Sequence, residues 1–227
     1  MVNLRRPSTL DDLYAVPLVS FTAFAADRPD SITFEVLLDP ETTRRVEVWR
    51  RGPRFEPRSW NPVHGFVFRA HDLPRLITAL RRWWRLHSLT WPALGLFAEH
   101  ITNGNTYSPA RFLTLYASME AYCRAQFGKK DIKLMRDYAG VDNAVHGCGT
   151  PGLALIGRSR NYFSHYNTPD PEQASKIRDK AFETTRCAHA LMQACLLREI
   201  GFGHRQTAAL LTKHYSNWPL PTLGDDC

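Results

Sequence analysis

The stretch Arg158-Ser-Arg-Asn-Tyr-Phe-Ser-His-Tyr-Asn167 decides how this chain is read. It places Arg160, Asn161 and His165 close together on one predicted helix and surrounds them with Tyr162, Phe163 and Tyr166. It then runs into Asn-Thr-Pro-Asp-Pro (167–171), a segment that breaks a helix. Leu153-Ala-Leu-Ile-Gly157 supplies the apolar beginning of the same helix. Residues four apart share a helix face, so Asn161 and His165 do. Arg160 and His165, five apart, point about 140° from each other on an ideal helix. One copy of the helix therefore offers one histidine and an arginine set to the side. Two copies about a two-fold axis would bring two histidines and two arginines around one groove.

These residue types suit acid–base chemistry at a phosphate ester, of which cleavage of RNA without a metal is one case. A base takes the proton from a 2′-hydroxyl, the oxygen attacks the adjacent phosphate, and an acid protonates the leaving 5′-oxygen. Histidine suits both proton transfers because it titrates near neutral pH. Arginine suits the charge that builds on the phosphorane oxygens. Asn161 is placed to orient the histidine or the phosphate. Spacing alone also allows a plain structural reading, a helix-end pair that packs a bundle. Loose pairs of this kind recur in the chain, as in Arg82 with His87, Arg58 with His64 and Arg198 with His204.

Outward from this stretch the chain is helical. Pro171 opens what reads as the longest helix, PEQASKIRDKAFETTRCAHALMQACLLREIG, with Gly201 as its cap, and HRQTAALLTKHY (204–215) follows. Upstream, Ser108-Pro109 opens PARFLTLYASMEAYCRAQFG, whose apolar face is Phe112, Leu115, Met119, Tyr122 and Cys123 and whose stop is Gly128. KKDIKLMRDYAG reads as a short helix and VDNAVHGCGTPG (141–152) as a loop. From residue 71, a stripe of Leu73, Leu76, Ile77, Leu80 and Trp84 predicts another helix, with Asp72 as N-cap, Pro74 in the first turn and a kink at Pro92. Residues 1–70 differ. SITFEVLLD (31–39) and RRVEVWRRG (44–52) alternate at the strand period, and GFVFRA (65–70) reads as a third strand. The expected fold is mainly α: a small β-containing N-terminal module in 1–70, then a helical bundle of four to five helices in 71–227.

The form R-N-x-x-x-H at 160–165, lying just before the final long helix, resembles the motif of the HEPN superfamily of helical-bundle ribonucleases. The combination FLTLYASMEAY…RNYFSHYN is similar to the C-terminal domain of ApeA-type anti-phage HEPN proteins, and LVSFTAFAADRPDSITFEVLL resembles part of their N-terminal β module. Those proteins have a longer front domain, so this chain is expected to begin partway into it. The resemblance implies an endoribonuclease of the abortive-infection or toxin-like class, cutting cellular RNA such as tRNA at a composite homodimer site, with no cofactor. His165 would be the acid/base, Arg160 the phosphate-binding cation and Asn161 the orienting residue. Glu120, on the upstream helix, would be a carboxylate that supports Arg160 or His165. The alternative is a non-catalytic HEPN-type module that binds RNA or protein.

The remaining features are permissive. Among 227 residues, 44% are hydrophobic and 22% charged, as in ordinary soluble domains. A net charge of +7, carried mostly by arginine, allows an anionic partner such as RNA. Arg158 and Tyr162 beside the motif, and Arg82 and Arg85 in RRWWRLH (81–87), are candidate RNA contacts, although Trp84 reads as core. The helix–Gly–helix rhythm at 198–211 is weak support for DNA, and no DNA partner is expected. No run reaches the roughly 18 apolar residues of a membrane span, and no leader is evident. Cys123, Cys148, Cys187, Cys195 and Cys227 include no CxxC pair and read as reduced thiols, which points to the cytoplasm and against a bound metal. His146 and His189 are read as structural.

Overall fold

In a computed structural model the structure describes residues 20–21, 24–25, 34–38, 45–49, 67–73, 75–102, 108–140, 150–165 and 170–216. Two strands, β1 (Phe34–Leu38) and β2 (Arg45–Trp49), pair antiparallel in a register that runs from Phe34 opposite Trp49 to Leu38 opposite Arg45. Seven α-helices follow among the described residues: α1 (Leu76–Thr102), α2 (Pro109–Phe127), α3 (Lys133–Ala139), α4 (Thr150–His165), α5 (Pro171–Asp179), α6 (Ala181–Ile200) and α7 (His204–His214). The fold is mainly helical, with more helices than the expected four to five. None of these helices is long and apolar enough to cross a membrane.

The caps read from sequence are in place on α2. Ser108 Oγ accepts from the Arg111 N–H at 3.1 Å, and Gly128 closes the helix in the left-handed region. All five predicted apolar residues of α2, from Phe112 to Cys123, are fully buried.

Four expectations are corrected. The predicted long helix from Pro171 is two helices that meet at Lys180, so α1 is the longest at 27 residues. The Lys180 carbonyl accepts both the backbone N–H and the hydroxyl of Thr184, at 2.9 and 2.7 Å, and this side-chain competition marks the joint. α4 begins at Thr150, three residues before the expected LALIG, because Pro151 suits a first helical turn. Asp72 caps a 3₁₀ turn (Ala70–Asp72) by accepting from the Arg69 N–H at 2.7 Å, and α1 starts only at Leu76. Of the expected third strand, residues 67–69 are irregular, and the Val67 N–H donates to the Ala25 carbonyl at 2.8 Å. The predicted kink is present: Thr90, two residues before Pro92, leaves helical geometry at φ −126°, ψ 28°.

The core face of α1 also differs from the predicted stripe. Ala79, Trp83, Leu86, Thr90, Ala93 and Phe97 point inward, while Leu76 and Ile77 are exposed and Trp84 is half-buried. Trp83, not Trp84, is the core tryptophan. Phe24 stacks on it at 5.4 Å, Phe21 meets it edge-on, and its indole N–H donates to Ser20 Oγ at 3.3 Å. A ring buried this way contributes about 1.5–3 kcal/mol of transfer free energy.

The centre of the bundle is α6. Of its 20 residues, 14 are buried, and it packs against each of the other six helices. Its charged residues, Glu183, Arg186, Arg198 and Glu199, lie toward its two ends, and the stretch between them is nearly all buried, which places it at the centre. Its end is capped by Gly201 at φ 110°.

Candidate active site

The site is built on α4 and on the α2 face against it. Phe163 of α4 meets Phe112 of α2 edge-on at 5.7 Å, and Arg160, one turn earlier on α4, lies over Tyr116, one turn later on α2. The two helices therefore run antiparallel at this contact. Leu155, Ile156, Ser159 and Phe163 form the buried face of α4. The Ser159 hydroxyl is buried without a hydrogen-bond partner.

The opposite face of α4 is open. Ala154, Arg158, Asn161 and His165 are all exposed. Their spacing of four, three and four residues keeps them within about 30° of one line on the helix. Arg158 thus shares a face with His165, two turns away. Arg160 does not. It is half-buried and turned toward α2, with its guanidinium carbon 6.0 Å from the centre of the Tyr116 ring. One of its N–H groups, on Nη1, donates to Asn161 Oδ1 at 3.1 Å. Asn161 links the two directions: its side chain receives Arg160 and its position lies on the His165 face.

Glu120 sits on α2 one turn beyond Tyr116 and is half-buried. Burial first, and then the Glu120 carboxylate, push the Tyr116 phenol above its ordinary value, while Arg160 pulls it down. Both charges therefore act on the same ring. Among the described residues no ion pair within 4.0 Å joins Glu120 to Arg160. Because the helices are antiparallel, Glu120 lies on the side of Arg160 away from His165.

The other candidates are distributed differently. Tyr162 is half-buried against Phe163 at 5.3 Å. Arg85 is exposed on α1. The Arg82 guanidinium lies against Gly201, in the space a Cβ there would take. It therefore packs at the C-terminal end of α6 rather than beside α4. Tyr166, His146, Cys148 and Cys227 lie outside the described residues.

Two features had no signal in the sequence. One is the contact of Tyr116 with Arg160, which depends on how α2 and α4 pack. The other is a histidine pair. His100 Nε2 lies 3.0 Å from His189 Nδ1, and His100 Nδ1 lies 3.2 Å from the Arg111 carbonyl. A carbonyl only accepts, so the bond to Arg111 needs a proton on His100 Nδ1, and in the neutral tautomer that has it, Nε2 is the acceptor toward His189. Arg111 Nε returns a bond to the His100 carbonyl at 3.1 Å. The pair joins the end of α1 to the start of α2 and the middle of α6. His189 is structural, as its isolation suggested, but with a partner 89 residues away that no spacing rule would find.

Residues 153–206 match the family described as Apea-like HEPN. No curated protein and no solved structure matches the chain. The matched segment runs from the first turn of α4 to the first turn of α7. It contains Arg158, Arg160, Asn161, Tyr162 and His165, and it leaves Tyr116 and Glu120 outside. Over residues 153–206, about a quarter of its length, the chain is similar to the ApeA-like domain of the HEPN superfamily.

Proposed function

We propose that this protein is a metal-independent endoribonuclease of a defence type, abortive-infection or toxin-like, acting on cellular RNA with tRNA as the leading substrate. The observation that carries the reading is Arg160-Asn-Tyr-Phe-Ser-His165 at the end of α4, with His165 and Asn161 exposed on one face, inside the Apea-like HEPN match. His165 moves the protons, and Arg160 stabilises charge on the phosphorane. Asn161 orients Arg160, Glu120 supports it from α2, and Arg158 adds a second cation on the histidine face. Cleavage by the 2′-hydroxyl leaves a 2′,3′-cyclic phosphate and a free 5′-hydroxyl.

One α4 presents one histidine, whereas the reaction needs a base and an acid on opposite sides of the phosphate. Two chains joined across the exposed α4 faces give one composite groove. The pair β1–β2 belongs in this reading to a small β-containing module in residues 1–70 that precedes the bundle.

The test is cleavage of total RNA and purified tRNA in excess EDTA. Wild type is expected to cut, and Arg160→Ala and His165→Ala each to lower kcat/KM by about 100-fold or more. Cutting that survives both substitutions would place the chemistry elsewhere. RNA binding without cutting by the wild type would favour a non-catalytic binding module.

A further inference from the structure

Among the described residues no carboxylate lies within ion-pair distance of Arg160. We propose that Tyr116 is a positioning residue for Arg160, its ring a platform that fixes the guanidinium without taking up any of the N–H groups that a phosphate needs. The inference rests on the ribonuclease reading for its consequence and on the geometry of α2 and α4 for its cause.

The contact has a particular chemistry. A carboxylate would hold an arginine through its N–H donors and so occupy the groups that a phosphate needs. An aromatic face attracts the cation through the ring quadrupole and takes up no donor. Here Arg160 lies over the Tyr116 ring at 6.0 Å and gives one N–H to Asn161 Oδ1. After burial, the Glu120 carboxylate is the next cause that raises the Tyr116 phenol, yet no ion pair joins Glu120 to Arg160.

The platform is itself fixed. Tyr116 is half-buried and packs beside Phe112 at 6.3 Å. Phe112 in turn meets Phe163 at 5.7 Å, so the aromatic contact that clamps α2 to α4 lies one turn from the Arg160 contact. Any slide of one helix along the other would lift Arg160 from its ring. Outside the 153–206 match, α2 thus contributes a residue that acts on the motif from across the helix interface.

The experiment compares Tyr116→Leu, Tyr116→Phe and Tyr116→Met with wild type in two measurements. The first is RNA cleavage, separated into kcat and KM. Leu and Met are expected to lower kcat by about tenfold or more with little change in KM, since a misplaced catalytic group costs up to ~100-fold. Phe, which keeps the ring, is expected to retain most of the rate. The second is the NMR resonance of the Arg160 Nε–H, assigned by its loss in Arg160→Lys. Wild type and Phe should show the upfield ring-current shift, and Leu and Met should lose it. Met is the second variant in case Leu unfolds the chain. An unchanged kcat in Leu and Met, an Arg160 resonance that ignores the ring, or a Phe variant as impaired as Leu would each overturn the proposal. A wild type that cuts no RNA but shows the ring-dependent resonance would sink the ribonuclease reading alone, with Tyr116 still holding Arg160.

Discussion

At the level of single residues, the described part of the chain sorts its histidines by surroundings. His165 is exposed at the end of α4, as the proposed proton transfers to RNA require. His87 has the opposite setting. Its ring lies against Trp91 at 4.6 Å, and its Nε2 is buried without a hydrogen-bond partner. Burial lowers its pKa from 6.5 because the imidazolium loses water and gains no partner. Below pH 6.5 the unfolded chain then binds protons that the folded chain refuses. The stability due to neutral His87 is complete above 6.5 and is lost as pH falls through the lowered folded value. Urea unfolding at a series of pH values should show a shallower acid loss for His87→Leu than for wild type. Parallel curves for the two proteins would refute this account of His87.

At the level of elements, termini were more legible than faces. Ser108, Pro109, Gly128 and Gly201 act where turn chemistry placed them. Gly201 does more than cap. At φ 110° a Cβ is strained, and the Arg82 guanidinium already occupies its space. Gly128, at φ 70°, has open space where a Cβ would go. Left-handed backbone costs an L-residue about 1–2 kcal/mol, so Gly128→Ala should lose that much stability. Gly201→Ala should lose more, because φ 110° lies further from the left-handed minimum and the Arg82 guanidinium must move, and Arg82→Ala should restore only the part due to the guanidinium. Equal losses for the two glycines in thermal unfolding would show that the guanidinium simply moves aside.

At the level of the whole molecule, the central position of α6 governs the thiols. Cys187 and Cys195 on α6, and Cys123 on α2, are fully buried. Burial, with Asp131 and Glu120 adding to it, pushes the Cys123 thiol up to about 12, and Cys195 lies well above its ordinary 9.0 for the same leading reason. Neither the thiolate nor access is available in the folded state. Iodoacetamide at mildly alkaline pH, read by peptide mass spectrometry, should label none of the three in native protein and all three in urea. Native labelling of Cys123 would mean that α2 lifts from α6 far more readily than this packing allows.

The amino-acid sequence determined by itself the helical character, the cap positions, the apolar face of α2 and the placement of Arg160, Asn161 and His165 on one short helix. These are local properties, set by helix period and turn chemistry within a few residues. Tertiary structure decided which tryptophan of α1 faces the core, because Trp83 and Trp84 lie on adjacent edges of a broad apolar arc and the rings of Phe24 and Phe21 pack on Trp83. It decided that one long helix becomes two at Lys180, where no glycine or proline marks the joint. It also decided what surrounds the motif. Tyr116 under Arg160 and His189 against His100 are contacts between helices, and their energy depends on packing angle and register, which no local pattern encodes.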